Sequence, residues 1–534
     1  MKTYDYVIIG AGAAGCIVAN RLSANPKNSV CLIEAGGSEK SPWIKIPAGI
    51  FGVYGNKKFD YAYEGALQKN LENRSITVNR GKCLGGSSSI NGMVYIRGNK
   101  NDYDNWAALG CKGWSYEEVL PVFKKLENNN AGGDSKYHGF NGELSVVSPQ
   151  DANDAGKRFV SAGSAVGLPQ NPDFNAESQI GLGIYNVTQS NGTRVSSYTA
   201  FLEPVLSRSN LTILTKTSVS ALDIQGETVS AININTNGVD KKIHFNKEVI
   251  ICAGAIDSPR LLLTSGIGDK KELQTLGITC KNNLPGVGKN LQDHLDCMVT
   301  VRSDKSESIG ISWRSLIPNV LTAPFNYYFN KMGWWTTNYV EAGGFAKTKE
   351  SDGKNPDIQF HFTPIFRSHR GKKFEFGHGY SIFTCLLKPF SSGSVKLVKE
   401  GKSFKTIIDH NFLSDRRDEI VMIEALKKAR ELLSSKVFDG VRGKEMAPGK
   451  SIQSDEDILN YIRKTALTVY HPVGTCKMGI DEMSVVDPVD LRVKGMSNLR
   501  VIDASIMPAI ISGNTSAPTM MIAEMGAKMI LNKD

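Results

Sequence analysis

The 534-residue chain lacks a block of Lys and Arg, a CxxC pair, a His/Cys cluster at metal-ligand spacing, and any apolar run of the roughly 18 residues a spanning helix requires. The first absence excludes the electrostatic footprint of a nucleic-acid binder: Lys plus Arg exceeds Asp plus Glu only as 63 to 53, spread over the whole length. The missing clusters leave no metal site to propose. Nine scattered Cys read as reduced thiols, and MKTYDY at the N-terminus has no apolar signal core, so the expectation is a cytoplasmic protein. A peripheral contact with the inner membrane is the alternative, because NVLTAPFNYYFNKMGWW at 319–335 is aromatic enough to graze a lipid interface; a cap or core segment of a substrate domain is the preferred reading. No internal repeat or low-complexity block is present either, and 41% hydrophobic with 22% charged residues describes a globular chain long enough for more than one domain.

What is present begins at residues 7–22, VIIGAGAAGCIVANRL, where a buried strand runs into a helix through a glycine-rich turn. Gly10 permits the tight turn, Gly12 lets backbone approach a pyrophosphate, and Gly15 lets helix and strand sit close, leaving phosphates on the helix N-terminus. VCLIE at 30–34 reads as a second strand ending in Glu34, 24 positions after Gly10 against roughly 20 in the dinucleotide fingerprint. A carboxylate there accepts hydrogen bonds from an adenosine ribose and repels the extra phosphate of NADP. At this level NAD and FAD are equally compatible.

Periodicity organises the rest. Residues 41–65 mix turns and aromatics, 104–127 reads as one helix, and a first section closes near 150. Alternating strands at 210–235 and the apolar strand KEVIICAGA at 247–255 return to nucleotide-domain character. Segments such as DIQFHFTP (357–364) and YSIFTCLLKPF (380–390) predict a separate antiparallel sheet, NLRVIDASIMP (498–508) a buried strand, and 515–534 a helix with Pro518 in its first turn. The expected class is α/β (α+β overall): a Rossmann-like dinucleotide-binding domain from 1–152, 203–299 and 458–534, and a discontinuous substrate domain from 153–202 and 300–457.

Two further glycine clusters carry chemistry. GKCLGGSSSINGMVYIRGNKNDYD (81–104) offers side-chain-free backbone for a flat ring, and GAIDSPRLLLTSGIG (254–268) follows the apolar strand, with Ser258 and Pro259 where a helix is expected to start. Both segments resemble the signature motifs of the glucose-methanol-choline oxidoreductases, and the first loop resembles that family's FAD fingerprint. LPGVGKNLQDHL (284–295), EAGGF (341–345), HPVGTCKMG (471–479) and SGNTSAPTMMIAEMGA (512–527) are similar to further family segments.

The resemblance implies FAD, with Gly10, Gly12 and Gly15 at the pyrophosphate, Glu34 at the ribose, and Asn91 with its neighbouring backbone beside the isoalloxazine. It extends the cofactor contacts to Ala13, Ala14, Ala35, Gly85, Gly86, Ser87, Gly92, Met93, Val94, Val219, Ala253, Gly254, Asp503, Ala504, Asn514 and Thr515. Relatives that attach FAD covalently do so through a His just before the motif Asn; Ile90 stands there, so FAD is expected to be non-covalent. The last helix independently points the positive end of its dipole from Thr515 to Pro518 at a ring that gathers negative charge on reduction.

His471 matches the family's general base and Asn514 the second member of its catalytic pair. An imidazole exchanges protons near neutrality, whereas an amide hydrogen-bonds the substrate oxygen without acting as a base. The implied reaction is oxidation of a primary alcohol to an aldehyde, with hydride passing to flavin N5 and then to oxygen or a quinone- or dye-like acceptor. A redox-silent FAD lyase of the same family, an oxygen-using alcohol oxidase, an NAD dehydrogenase and a non-catalytic flavoprotein are the competing readings. His294 is read as a loop hydrogen-bonder, and Glu341 as a buried carboxylate or a holder of a cationic head group such as choline's. Ser392 replaces a basic residue of many relatives, a departure that weakens any close subgroup assignment, choline dehydrogenase included. Trp334, Trp335, Tyr339 and Phe366 are expected to line an apolar pocket.

Overall fold

The computed structural model describes residues 3–149, 152–303, 305, 307–366, 376–401 and 403–532. Strand β1 (Tyr4–Ile9) consists of residues that favour extended backbone, and Val7 and Ile8 at its centre are fully buried. Gly10, at φ +101°, turns the chain into helix α1 (Ala13–Ser23), which returns it to β2 (Val30–Ile33), parallel to β1. Strands β3 (Leu211–Leu214), β4 (Phe245–Ile251) and β5 (Leu499–Val501) complete a five-stranded parallel sheet in the order β3-β2-β1-β4-β5. Strand ends therefore meet helix starts along one edge, where open parallel sheets bind ligands. Helix α2 (Gly254–Thr264) follows β4, and helix α3 (Ser516–Leu531) packs against α1.

A second sheet of seven strands is antiparallel: the ranges 442–447, 295–303, 378–386, 358–363, 342–346 and 181–184 lie side by side, and 467–468 pairs beside 295–296. The expected separate sheet is present, and it draws its last strand from 181–184. The expected boundary at 299/300 falls inside the strand Leu295–Ser303. The long helix Arg416–Ser434 covers one face with a buried stripe that includes Val421, Met422, Ala425, Leu426, Ala429 and Leu432.

Three local expectations are corrected. Residues 104–127 form two helices, Lys100–Ala108 and Tyr116–Leu126, because Gly110 and Gly113 take φ values of +94° and +89° between them. Helix α2 starts at Gly254 instead of Ser258. The Ser258 hydroxyl donates to Asp503 Oδ2 at 2.6 Å, and the Gly254 amide donates to the same oxygen at 2.8 Å, so a distant carboxylate satisfies that helix end. The strand expected over 498–508 is short: after β5 the chain makes a tight turn at Ala504–Ile506, whose Ser505 amide donates to Asp503 Oδ1 at 2.8 Å.

All nine Cys are free thiols, eight of them buried. Among the described residues no helix is long and apolar enough to cross a membrane. The 319–335 region folds as short helical turns with Phe325, Tyr328 and Phe329 exposed and Tyr327 buried.

Candidate active site

A cavity of about 1500 Å³ runs from the glycine loop to His471, between the two sheets. Of the residues expected to touch the cofactor or act in catalysis, all line it except Gly15 and Gly85. Those two are packing glycines: a Cβ on Gly15 would lie 1.8 Å from the Gly10 carbonyl oxygen, and one on Gly85 2.2 Å from Ser89 Oγ. Gly12 is the opposite case, because a Cβ there meets nothing within 4 Å; its side faces the open cavity at the uncapped N-terminus of α1. Gly92 and Gly254 are likewise open, and a Cβ on Gly86 would press within 2.7 Å of Gly12 Cα, so the first two glycine loops abut.

The Glu34 carboxylate is buried. Its oxygens accept from the Ala11 amide at 3.0 Å and the Gly36 amide at 2.8 Å, and burial pushes its pKa up to about 7 against those two bonds. Arg194, buried and lowered by that burial to about 10, donates to the Asn91 carbonyl at 2.6 Å and to Asn91 Oδ1 at 2.9 Å, which fixes this amide against the cavity wall. The N-terminus of α3 has no side-chain cap, and Thr515, Ser516 and Thr519 line the cavity there. Residues for a dinucleotide-sized, anionic, flat cofactor are thus in place, and Ile90 lines the same wall.

At the other end, His471 Nε2 lies 3.2 Å from Asn514 Nδ2, and His471 Nδ1 lies 2.9 Å from His294 Nδ1. The hydrogen-bond polarity can be followed from fixed backbone groups. The Phe360 carbonyl only accepts, so Tyr185 donates to it at 2.7 Å; the Tyr185 oxygen then accepts from the Gly344 amide at 2.9 Å and from Gln359 Nε2 at 3.3 Å. The same Gln359 nitrogen donates to Asn514 Oδ1 at 3.2 Å, which turns Asn514 Nδ2 toward His471. Neutral His471 accepts that bond at Nε2 and carries its proton on Nδ1, where it donates to His294. Burial, with His294, His361 and Arg80 nearby, holds the His471 pKa well below the ordinary imidazole value, and Asp293 opposes this. Burial first, then Lys388, lowers His294 to about 3.

Asp293 also fixes the loop. Its Oδ1 accepts from the His471 and His294 amides, each at 2.8 Å, its Oδ2 accepts from Thr468 Oγ1 at 2.5 Å, and His410 Nε2 lies 3.1 Å from Oδ2. Tyr470, just before His471, is held at φ +68°, a strained conformation for an aromatic residue that such bonds sustain.

The His294 imidazole hydrogen-bonds the 467–471 loop at His471 itself, with the two rings at 87°. Glu341 is buried outside the cavity and accepts from the Asn153 amide at 2.8 Å, as a structural carboxylate does. Of the aromatic residues expected at the substrate, only Tyr339 lines the main cavity; Trp334, Trp335 and Phe366 line a smaller one beside it. Sequence reasoning missed Gln359, Tyr185, Asp293, Asp296 and His361. The last two line the main cavity. Asp293 and Asp296 lie in or next to the LQDHL segment, whereas no local signal marks Gln359 or Tyr185.

The GMC oxidoreductase family models match residues 4–296 and 389–523. The chain belongs to this family. It is 44% identical to the alcohol dehydrogenase [acceptor] of Pseudomonas putida, over 99% of this chain and 96% of that one. It is 38% identical to the oxygen-dependent choline dehydrogenase of Staphylococcus saprophyticus, over 100% and 95%. The crystal structure of pyridoxine 4-oxidase from Mesorbium loti superposes with a TM-score of 0.88 at 30% identity and 99% coverage of both chains. Its cofactor is FAD, and the protein is an oxidoreductase of a family that acts on CH–OH groups.

Proposed function

We propose that the protein oxidises a primary alcohol to an aldehyde with non-covalently held FAD. The observation that carries the reading is the polarity of the His471–Asn514 pair: a neutral imidazole whose Nε2 lone pair faces an amide N–H at the cavity wall. An alcohol oxygen that meets both nitrogens from the cavity side, in place of their mutual bond, accepts from Asn514 Nδ2 while its proton passes to His471 Nε2. The imidazolium so formed keeps its Nδ1 bond to His294, whose lowered basicity leaves the proton on His471. Asn514 holds the oxygen as it gains alkoxide character, and the uncapped start of α3 presents its positive end to the same space. Bound FAD supplies the acceptor for the hydride of the carbinol carbon. Ile90, at the wall where covalent relatives carry a His, supports non-covalent retention.

The experiment is anaerobic mixing of the yellow holoenzyme with a primary alcohol. Bleaching of the flavin bands with aldehyde formed in equal amount supports the reading. Flavin that stays oxidised, with no aldehyde formed from any primary alcohol, is what a redox-silent lyase would give and overturns it.

A further inference from the structure

Beside the main cavity lies a second one of about 170 Å³, walled by the 309–311, 320–339 and 365–366 segments. Its walls are Ile309, Val320, Ala323, Trp334, Trp335 and Phe366, with Gly310 and Ile311; no charged side chain lines it among the described residues. Tyr339 and Ile365 line both cavities, so the two share a wall. Tyr339 is held in place by its hydroxyl bond to the Ala48 carbonyl at 3.2 Å and by Phe51, whose ring centre is 4.8 Å away, although its backbone takes φ +64°. Strain of that kind in a bulky residue persists where surrounding structure over-determines it, commonly at ligand clamps. At the opposite rim Ile311 is 38% exposed, and beyond it Trp313 and Phe376 are exposed with ring centres 6.0 Å apart.

We propose that this cavity takes the apolar tail of the substrate, so that the enzyme acts on primary alcohols carrying a tail of roughly six carbons, alkyl or aryl. The proposal rests on the alcohol reading above and adds the substrate class. An apolar cavity of about 150 Å³ stays dry and holds a benzene ring, which matches the size found here. A polyol would lose its hydration in this lining without any partner, whereas a methylene gains; the faces of Trp334, Trp335 and Phe366 also suit a quaternary ammonium group, so choline is the competing occupant in the test. Each methylene removed from water raises kcat/KM roughly fourfold, until the tail fills the space. An alcohol bound at His471 with its chain past Tyr339 and Ile365 satisfies both halves of the site.

The test measures kcat/KM for ethanol through 1-decanol, benzyl alcohol and choline with the holoenzyme and a dye acceptor, then repeats the series with Ala323→Phe and Ile309→Phe. Neither residue lines the main cavity. Flavin content identifies a variant that has failed to fold, and the other then stands in for it. The expected result is a rise of roughly 10²-fold from ethanol to 1-hexanol in the wild type, levelling beyond, with the rise largely lost in the variants while ethanol turnover stays level. An unchanged rise in a folded variant, a flat wild-type series, or a preference for choline overturns the proposal. Failure of every alcohol to bleach the flavin sinks the alcohol reading itself, a different outcome from a missing chain-length trend.

Discussion

At the glycine end of the main cavity the wall is backbone, set by Gly10, Gly12, Gly86 and Gly254 and by the starts of α1 and α2, the first without a side-chain cap and the second closed by Asp503. At the His471 end it is side chains, those of Arg80, Asp296, His361, His471 and Asn514, backed by Asp293, His294 and Gln359 through hydrogen bonds. At the first end a Cβ added to Gly10 or Gly86 runs into backbone, and one added to Gly12 or Gly254 stands in the open cavity. The second depends on which nitrogen carries a proton, so small changes in polarity there alter chemistry while leaving the shape intact. Binding and reaction are thereby separable in this molecule, and substitutions at the two ends should fail differently.

The largest effect is expected at the reacting end. His471→Ala removes the proton acceptor and should lower kcat by roughly 10² to 10⁴ while the flavin stays bound; steady-state turnover beside the absorption spectrum checks both, and near-normal turnover removes His471 from the mechanism. Gly15→Ala should do the reverse. Its Cβ would lie 1.8 Å from the Gly10 carbonyl oxygen, so the loop must shift at a cost of about 1–3 kcal/mol, roughly 10- to 100-fold in FAD affinity. Titrating apoprotein with FAD reads this, and wild-type affinity would show that loop and helix are not as tightly coupled as described. The smallest change is Gln359→Leu, which deletes the bonds to Asn514 and Tyr185 and frees the Asn514 amide to rotate. Loss of the Asn514 bond, at about 1 kcal/mol, gives a drop of roughly fivefold in kcat/KM with FAD affinity unchanged; an equal loss at both ends would break the separation.

How much of this could be read from the chain alone follows the same division. The glycine loops were legible because each required glycine answers a local demand, visible within ten residues: a positive φ at Gly10, a close approach at Gly15. The parallel strands were legible as apolar runs. His471 and Asn514 were found through the family resemblance, since nothing local distinguishes that His from the seven others. His294 stood in a quoted motif, but its contact with His471 crosses 177 positions of sequence and depends on the strand Leu295–Ser303 meeting the 467–471 loop. Gln359 and Tyr185 are ordinary strand and loop residues until the antiparallel sheet brings them together. Helix ends misread from the sequence failed for a related reason: Asp503 closes α2 from 249 positions away.

The central claim is that a neutral His471, held below its ordinary pKa by burial and by His294, His361 and Arg80 against Asp293, receives the alcohol proton. A depressed imidazole pKa keeps the base form at neutral pH and loses it only as pH falls through the depressed value. The direct measurement is the rate of anaerobic flavin reduction by a saturable primary alcohol between pH 5 and 9, about the span in which an ordinary imidazole titrates. The account predicts a rate that holds level as pH falls past 6.5, with its acid limb below that value. An acid limb centred at or above pH 7 would contradict it.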